Sequence, residues 1–201
     1  MKIRGLAFLL LLTAVSPLSP VMAQDQKANG TPGEAEMTAA MMKAAQPGEQ
    51  HKHLARYVGD WEYTSKMWMM PGQPAAESKG TMHGESMMDG RYVQHHWKGT
   101  FSGMPFEGLG TEAYDNTSKE YLSTWIDNVG TGIMMSTGSC DAAGKVCTQS
   151  NEMVDPMSGQ KMTMRSVITW ADNDHFKNEM FAKDPSGNEM KTMEITAWRK
   201  K

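Results

Sequence analysis

From residue 58 onward, apolar and polar positions alternate with a period of two, and turn-forming residues interrupt the alternation every ten to twenty residues or so. The pattern predicts ten strands, at 59–70, 77–88, 91–101, 105–114, 120–127, 132–139, 146–154, 161–171, 174–182 and 189–200. In the first strand Trp61, Tyr63, Ser65, Met67 and Met69 share one face, opposite Glu62, Thr64 and Lys66. Met162, Met164, Ser166, Ile168 and Trp170 share a face of the eighth strand. Phe176, Met180 and Ala182 do so in the ninth, and Met193, Ile195, Ala197 and Arg199 in the last. The turns, among them Asp89-Gly90, Ser102-Gly103, Asp115-Asn116 and Ala143-Gly144, leave no room for crossover helices. Consecutive antiparallel hairpins follow, and ten of them are expected to close on themselves, because closure removes exposed edges. The fold class is therefore all-β, an up-and-down antiparallel barrel over 51–201 with an apolar inside.

The segment before the barrel reads differently. Lys2 and Arg4 precede an apolar run, Leu6 to Val15, that is too short to span a bilayer. Val21-Met22-Ala23 then offers a cleavage site, so residues 1–23 are expected to be a signal peptide and the product periplasmic or secreted. The alternative is an uncleaved anchor. Residues 24–50, punctuated by Gly and Pro, are expected to be a partly disordered linker, in which Met37 to Ala45 offers two helical turns that are marginal on their own. After cleavage, 18 basic and 23 acidic side chains would remain in a soluble chain. That balance argues against nucleic-acid binding, which needs a basic face, and no later apolar run implies a membrane span. The oligomeric state is not encoded in the pattern.

Two ends of the pattern belong together. Gly59-Asp60-Trp61 opens the first strand, and Arg199 lies on the apolar face of the last. This resembles lipocalin-like (calycin) barrels, in which a Gly-x-Trp indole plugs the closed end under an arginine of the last strand. The resemblance implies structural roles for Gly59, Trp61 and Arg199. A longer series is more specific: Gly90-Arg91-Tyr92, Pro105-Phe106-Glu107-Gly108, Tyr114-Asp115-Asn116, Tyr121, Thr124-Trp125-Ile126-Asp127 and Gly130-Thr131-Gly132, in this order. With Gly59-Asp60-Trp61 and Pro71-Gly72 before it and Asp155-Pro156 and Gly159 after it, this resembles the bacterial domain-of-unknown-function family 1579 over about residues 50 to 200. The resemblance implies a calycin-like barrel and carries over no catalytic residue. The chain departs from the pattern in its methionine content and in Cys140 and Cys147.

Those two cysteines flank a hairpin turn, Asp141 to Val146, and in an oxidising compartment a cross-hairpin disulfide is expected. Methionine is unusually frequent, with 21 in the chain. Met67, Met69, Met162, Met164, Met180 and Met193 are expected on inward positions, where flexible thioethers line a core or cavity. The alternatives are a soft Cu(I) site and sacrificial oxidation. His95 and His96 point to opposite faces, which weakens a histidine metal site. No cofactor is expected, and copper or a single-histidine haem site stays open. Val93, His95 and Trp97 share a face, as do Tyr121, Ser123, Trp125 and Asp127, and Glu107 is expected between them. If these faces point inward they form an aromatic pocket with a few polar groups. Alternatively, Trp125 and Asp127 pack a loop over the barrel end. The expected ligand site is thus Met67, His95, Trp97, Glu107, Tyr121, Trp125, Asp127, Met162 and Met164, for a small apolar or amphipathic molecule. An enzyme using Glu107, Asp127 or His95 is the remaining alternative, although no nucleophile stands beside a base.

Overall fold

In a computed structural model, which describes residues 33–70, 72–155, 158–183 and 187–201, the chain is two short helices followed by a ten-stranded barrel. The expected signal peptide, the linker up to Thr31-Pro32, and Pro71 and Pro156 of the turns lie outside the described residues. Helix α1 (Glu34–Ala44) starts about one turn before Met37 and buries none of its residues. Helix α2 (Glu49–Leu54) and a 3₁₀ turn (Ala55–Tyr57) bury His51, Leu54 and Tyr57 and feed into the first strand.

The strands are β1 (Gly59–Met67), β2 (Ala76–Met87), β3 (Tyr92–Phe101), β4 (Met104–Asp115), β5 (Glu120–Asp127), β6 (Met134–Cys140), β7 (Val146–Val154), β8 (Lys161–Trp170), β9 (His175–Lys183) and β10 (Glu189–Arg199). Each pairs antiparallel with its sequence neighbours, and β1 pairs with β10 from Trp61↔Arg199 to Met67↔Met193 to close the barrel. The hairpin chemistry is local. Ser102 and Gly103 both take positive φ, 49° and 80°, between the paired Phe101 and Met104, which is the two-residue turn that matches strand twist. Strand β1 stops at Met67, short of the expected residue 70. Met69 is 75% exposed in the loop to β2, not inside, and the proline that follows Met70 in the sequence has no backbone N–H to donate to a strand ladder. Cys140 and Cys147 are register partners on β6 and β7 and form the disulfide.

Because pairing is continuous, inward positions can be followed around the whole barrel. Trp61 and Tyr63 face Met82 and Ala197. Val93, His95 and Trp97 face Gly110 and Gly108, and Cys147, Gln149 and Asn151 face Ile168 and Met164. The outer face carries ion pairs such as Lys66–Glu77 and Arg165–Glu189. Among the described residues no helix is long and apolar enough to cross a membrane.

Candidate functional site

Helix α2, the 3₁₀ turn and the start of β1 seal one end. Trp61 is fully buried, and its indole N–H donates to the Tyr57 carbonyl at 3.0 Å. The Arg199 guanidinium lies 4.3 Å from the Trp61 ring centroid. It donates to the carbonyls of Val58 (2.6 Å), Arg56 (3.0 Å) and Asn173 (2.9 Å), and to the Asp174 carboxylate (2.7 Å). A planar, permanently charged fork can stack on a ring and fill several carbonyls at once, which a lysine cannot. Trp170, Phe176 and Tyr57 pack edge to face around Trp61. Gly59, at φ 111°, gives Arg199 its passage, since a Cβ there would meet the guanidinium at 2.8 Å. The plug expected from Gly59, Trp61 and Arg199 is present.

Above the plug runs a buried polar ladder. The Trp97 indole N–H donates to His95 Nδ1 at 2.7 Å. An indole nitrogen can only donate, so Nδ1 accepts and the ring proton sits on Nε2, 3.2 Å from Glu112 Oε1. Gln149 Nε2 reaches the other Glu112 oxygen at 3.5 Å, and Ser123 Oγ donates to Gln149 Oε1 at 3.1 Å. Tyr121 OH meets His53 Nδ1 of α2 at 2.9 Å. Burial, and after it the Glu112 carboxylate, push the Tyr57 hydroxyl well above the usual tyrosine value. Burial also pushes Tyr121 up to about 12. A residual cavity of about 20 Å³ lies among Tyr57, Glu112, Tyr121, Gln149 and Ile168. It is no larger than a water molecule needs. Beside the ladder, Asn151 Nδ2 and Asn178 Oδ1 are buried and, among the described residues, have no hydrogen-bond partner.

The other end is looser. Its inward positions hold Met67, Met134, Met153, Met162, Met164, Met180 and Met193, all half-buried, with Phe106 and Trp125 beside them. Two inward glycines on β4 make room for rings. A Cβ on Gly108 would run into the Trp125 indole, and one on Gly110 into the His95 imidazole. The alternation Phe106-x-Gly108-x-Gly110 therefore exists to seat Trp125 and His95 flat against β4.

The expected site residues divide accordingly. His95, Trp97, Tyr121, Trp125, Asp127, Met67, Met162 and Met164 are all on inward positions. His95 and Tyr121 belong to the inner ladder, whereas Met67, Met162 and Met164 belong to the open end. Glu107 requires a correction. It sits on the outer face, with its carboxylate 2.6 Å from His96 Nε2. Phe106, Gly108, Gly110 and Glu112 are the inward residues of β4, and a one-residue shift of parity exchanges the faces. Phe106 at an inward position was the available signal for Glu112. Asp127 is inward but already occupied. Its Oδ2 accepts from Trp125 Nε1 at 2.8 Å, and its Oδ1 accepts the Val129 and Gly130 N–H groups at 2.9 Å each. It fixes the β5–β6 loop, the alternative role expected for it. Gln149, Asn151 and His53 left no motif in the sequence. They become visible only when strand register and the docking of α2 are known.

Among the described residues no cluster of three or more His, Cys, Asp or Glu could hold a metal ion. The crystal structure of Rv2717c from M. tuberculosis shares this fold, with a TM-score of 0.57 over 78% of this chain and 100% of that one at 9% identity. A de novo designed fluorescence-activating β-barrel aligns at 15% identity over 73% of this chain and 96% of the design, with a TM-score of 0.41. No curated protein matches the sequence. The family described as "Protein of unknown function (DUF1579)" matches residues 46–199, and the chain belongs to that family.

Proposed function

We propose that this protein is an exported small-molecule-binding barrel that takes an apolar or amphipathic ligand at the end opposite the Trp61 plug. One contrast carries the reading. Inward side chains at the plugged end are buried and mutually packed, whereas at the other end they are half-buried methionines beside Trp125 and Phe106. Pockets for small ligands combine apolar lining with a few fixed polar groups. The Asn151 and Asn178 amide atoms, buried and without a partner among the described residues, would supply those groups. Methionine suits such a lining, because its unbranched chain adapts to varied shapes. Export rests on the sequence of residues 1–23, and the disulfide between Cys140 and Cys147 is in keeping with an oxidising compartment. With Glu107 outside and Asp127 engaged by its own loop, the acid–base alternative keeps only His95. Both nitrogens of that ring already have partners.

The test is native mass spectrometry of protein purified from the periplasm of an exporting cell, with a parallel titration by anilinonaphthalene sulfonate. The expected result is a retained apolar molecule or one probe bound per chain, with the site weakened at least tenfold by Met164→Asp. A bare chain that also leaves the probe unbound would overturn the reading.

A further inference from the structure

The inward methionines are arranged as well as abundant. Met67 on β1 is the direct register partner of Met193 on β10, and Met193 is the direct partner of Met180 on β9. Directly opposed positions on neighbouring strands place Cβ atoms about 4.5–5.5 Å apart. Three thioethers thus stand side by side on one face of three adjacent strands, all half-buried at the open end. A core-filling role does not require such a row, because packing favours alternation of large and small side chains across facing positions. Each side chain has three rotatable bonds beyond its Cα, so the three sulfurs can turn towards one point between them. A second run, Met153 opposite Met162 with Met164 two residues on, lies on β7 and β8. It lacks a third strand in direct register.

We infer that Met67, Met180 and Met193 form a thioether site for a soft monovalent metal ion, Cu(I). Sulfur ligands without charge select soft ions over the hard or borderline divalent ions that carboxylate and imidazole attract. No thiolate or imidazole competes, and the nearby Glu179 and Glu194 carboxylates, on the alternate face of their strands, are engaged by Lys191. The cysteines are joined in a disulfide, and all six histidines lie on α2, β2, β3 or the start of β9, away from the Met67 end of β1. A trio of neutral sulfurs also carries a chemical fingerprint. Thiolate, imidazole and carboxylate ligands must shed a proton to bind metal, so their affinity falls in acid. A thioether has no proton to shed, and binding here is independent of pH across the range where histidine titrates.

The inference does not depend on the apolar-ligand reading, and its test uses a different probe. The purified protein is titrated with silver(I), a redox-inert soft ion, at pH 7.5 and pH 5, with native mass spectrometry giving the stoichiometry. One tightly held ion per chain is expected, with an affinity that changes less than twofold between the two pH values. Met193→Leu and Met180→Leu, which roughly conserve volume, are expected to weaken it at least tenfold with unchanged circular dichroism. Met135→Leu, at an exposed position of β6, is expected to leave it unchanged. X-ray absorption of the anaerobically Cu(I)-loaded wild type gives a readout free of any variant, and a sulfur-only coordination shell is expected. An affinity lost at pH 5, nitrogen or oxygen in the shell, or full binding by Met193→Leu would each overturn the site.

Discussion

The two ends of the barrel are built from the same ten strands by opposite means. At the plugged end, rigid rings interlock: Trp61, Trp170, Phe176 and Tyr57 in mutual contact, with Arg199 stacked above and wired to three carbonyls and a carboxylate. At the open end, flexible thioethers take the equivalent positions and stay half-buried. Ring packing with defined geometry specifies one arrangement, whereas methionine tolerates many. The difference assigns stability to one end and adaptability to the other.

The sharpest way to break this comparison is to truncate one side chain at each end. Trp61→Ala is expected to cost about 3–5 kcal/mol, as large aromatic deletions in cores do. The loss would fall on the plug, on the Tyr57 carbonyl it satisfies and on the stacking surface of Arg199. Met162→Ala, from a half-buried position, is expected to cost about 1 kcal/mol. Urea unfolding followed by tryptophan fluorescence measures both. Equal losses would show that the open end carries as much of the fold as the plug.

A smaller effect tests whether the rings above the plug are as tightly seated. Gly110→Ala drives a methyl into the His95 imidazole, and overpacking of this kind costs about 1–3 kcal/mol. Gly130→Ala, in the β5–β6 loop where a Cβ has room, is expected to change stability by about 0.5 kcal/mol or less. If thermal denaturation finds Gly110→Ala equally neutral, the His95–Glu112 ladder is not a fixed scaffold.

These contrasts also separate what the sequence disclosed from what it concealed. Strand boundaries were legible to within a few residues, because alternation and turn residues are local. The Trp61–Arg199 plug was legible because its two halves mark the ends of the pattern, 138 residues apart but paired by closure. The site was less so. Glu107 and Glu112 are both acidic residues of one strand, and only the inward parity of Phe106 and Gly108 distinguishes them. The ladder from His95 through Glu112 and Gln149 to Ser123 joins four strands, and its members show no spacing that a single strand could reveal. The row Met67–Met193–Met180 likewise depends on barrel closure. It brings the first strand beside the last and has no trace in local sequence.

The gentlest probe of the comparison is acid, because it acts on the plugged end through α2. Burial, with a smaller push from the Arg91 charge, holds His51 below the ordinary histidine value of about 6.5, against the opposing pull of a hydrogen bond to the Tyr114 backbone. Burial first, then Arg56, do the same for His53, against weaker pulls from Glu49 and Asp141. His51 Nδ1 also accepts the Gly48 N–H at 3.0 Å, a bond that a proton on that nitrogen would abolish. The folded chain therefore binds fewer protons at these sites than the unfolded chain. Their contribution to stability is complete above about pH 6.5 and is lost as pH falls through the lowered folded values. Unfolding midpoints in urea are expected to decline from pH 7.5 to pH 5. The double substitution His51→Gln with His53→Gln should flatten that decline, at some loss of stability at pH 7.5. Silver(I) bound at the open end should be indifferent over the same range. A midpoint that is level between the two pH values in the wild type would mean that α2 is not held by neutral histidines, and that the plug is the work of the strands and Arg199 alone.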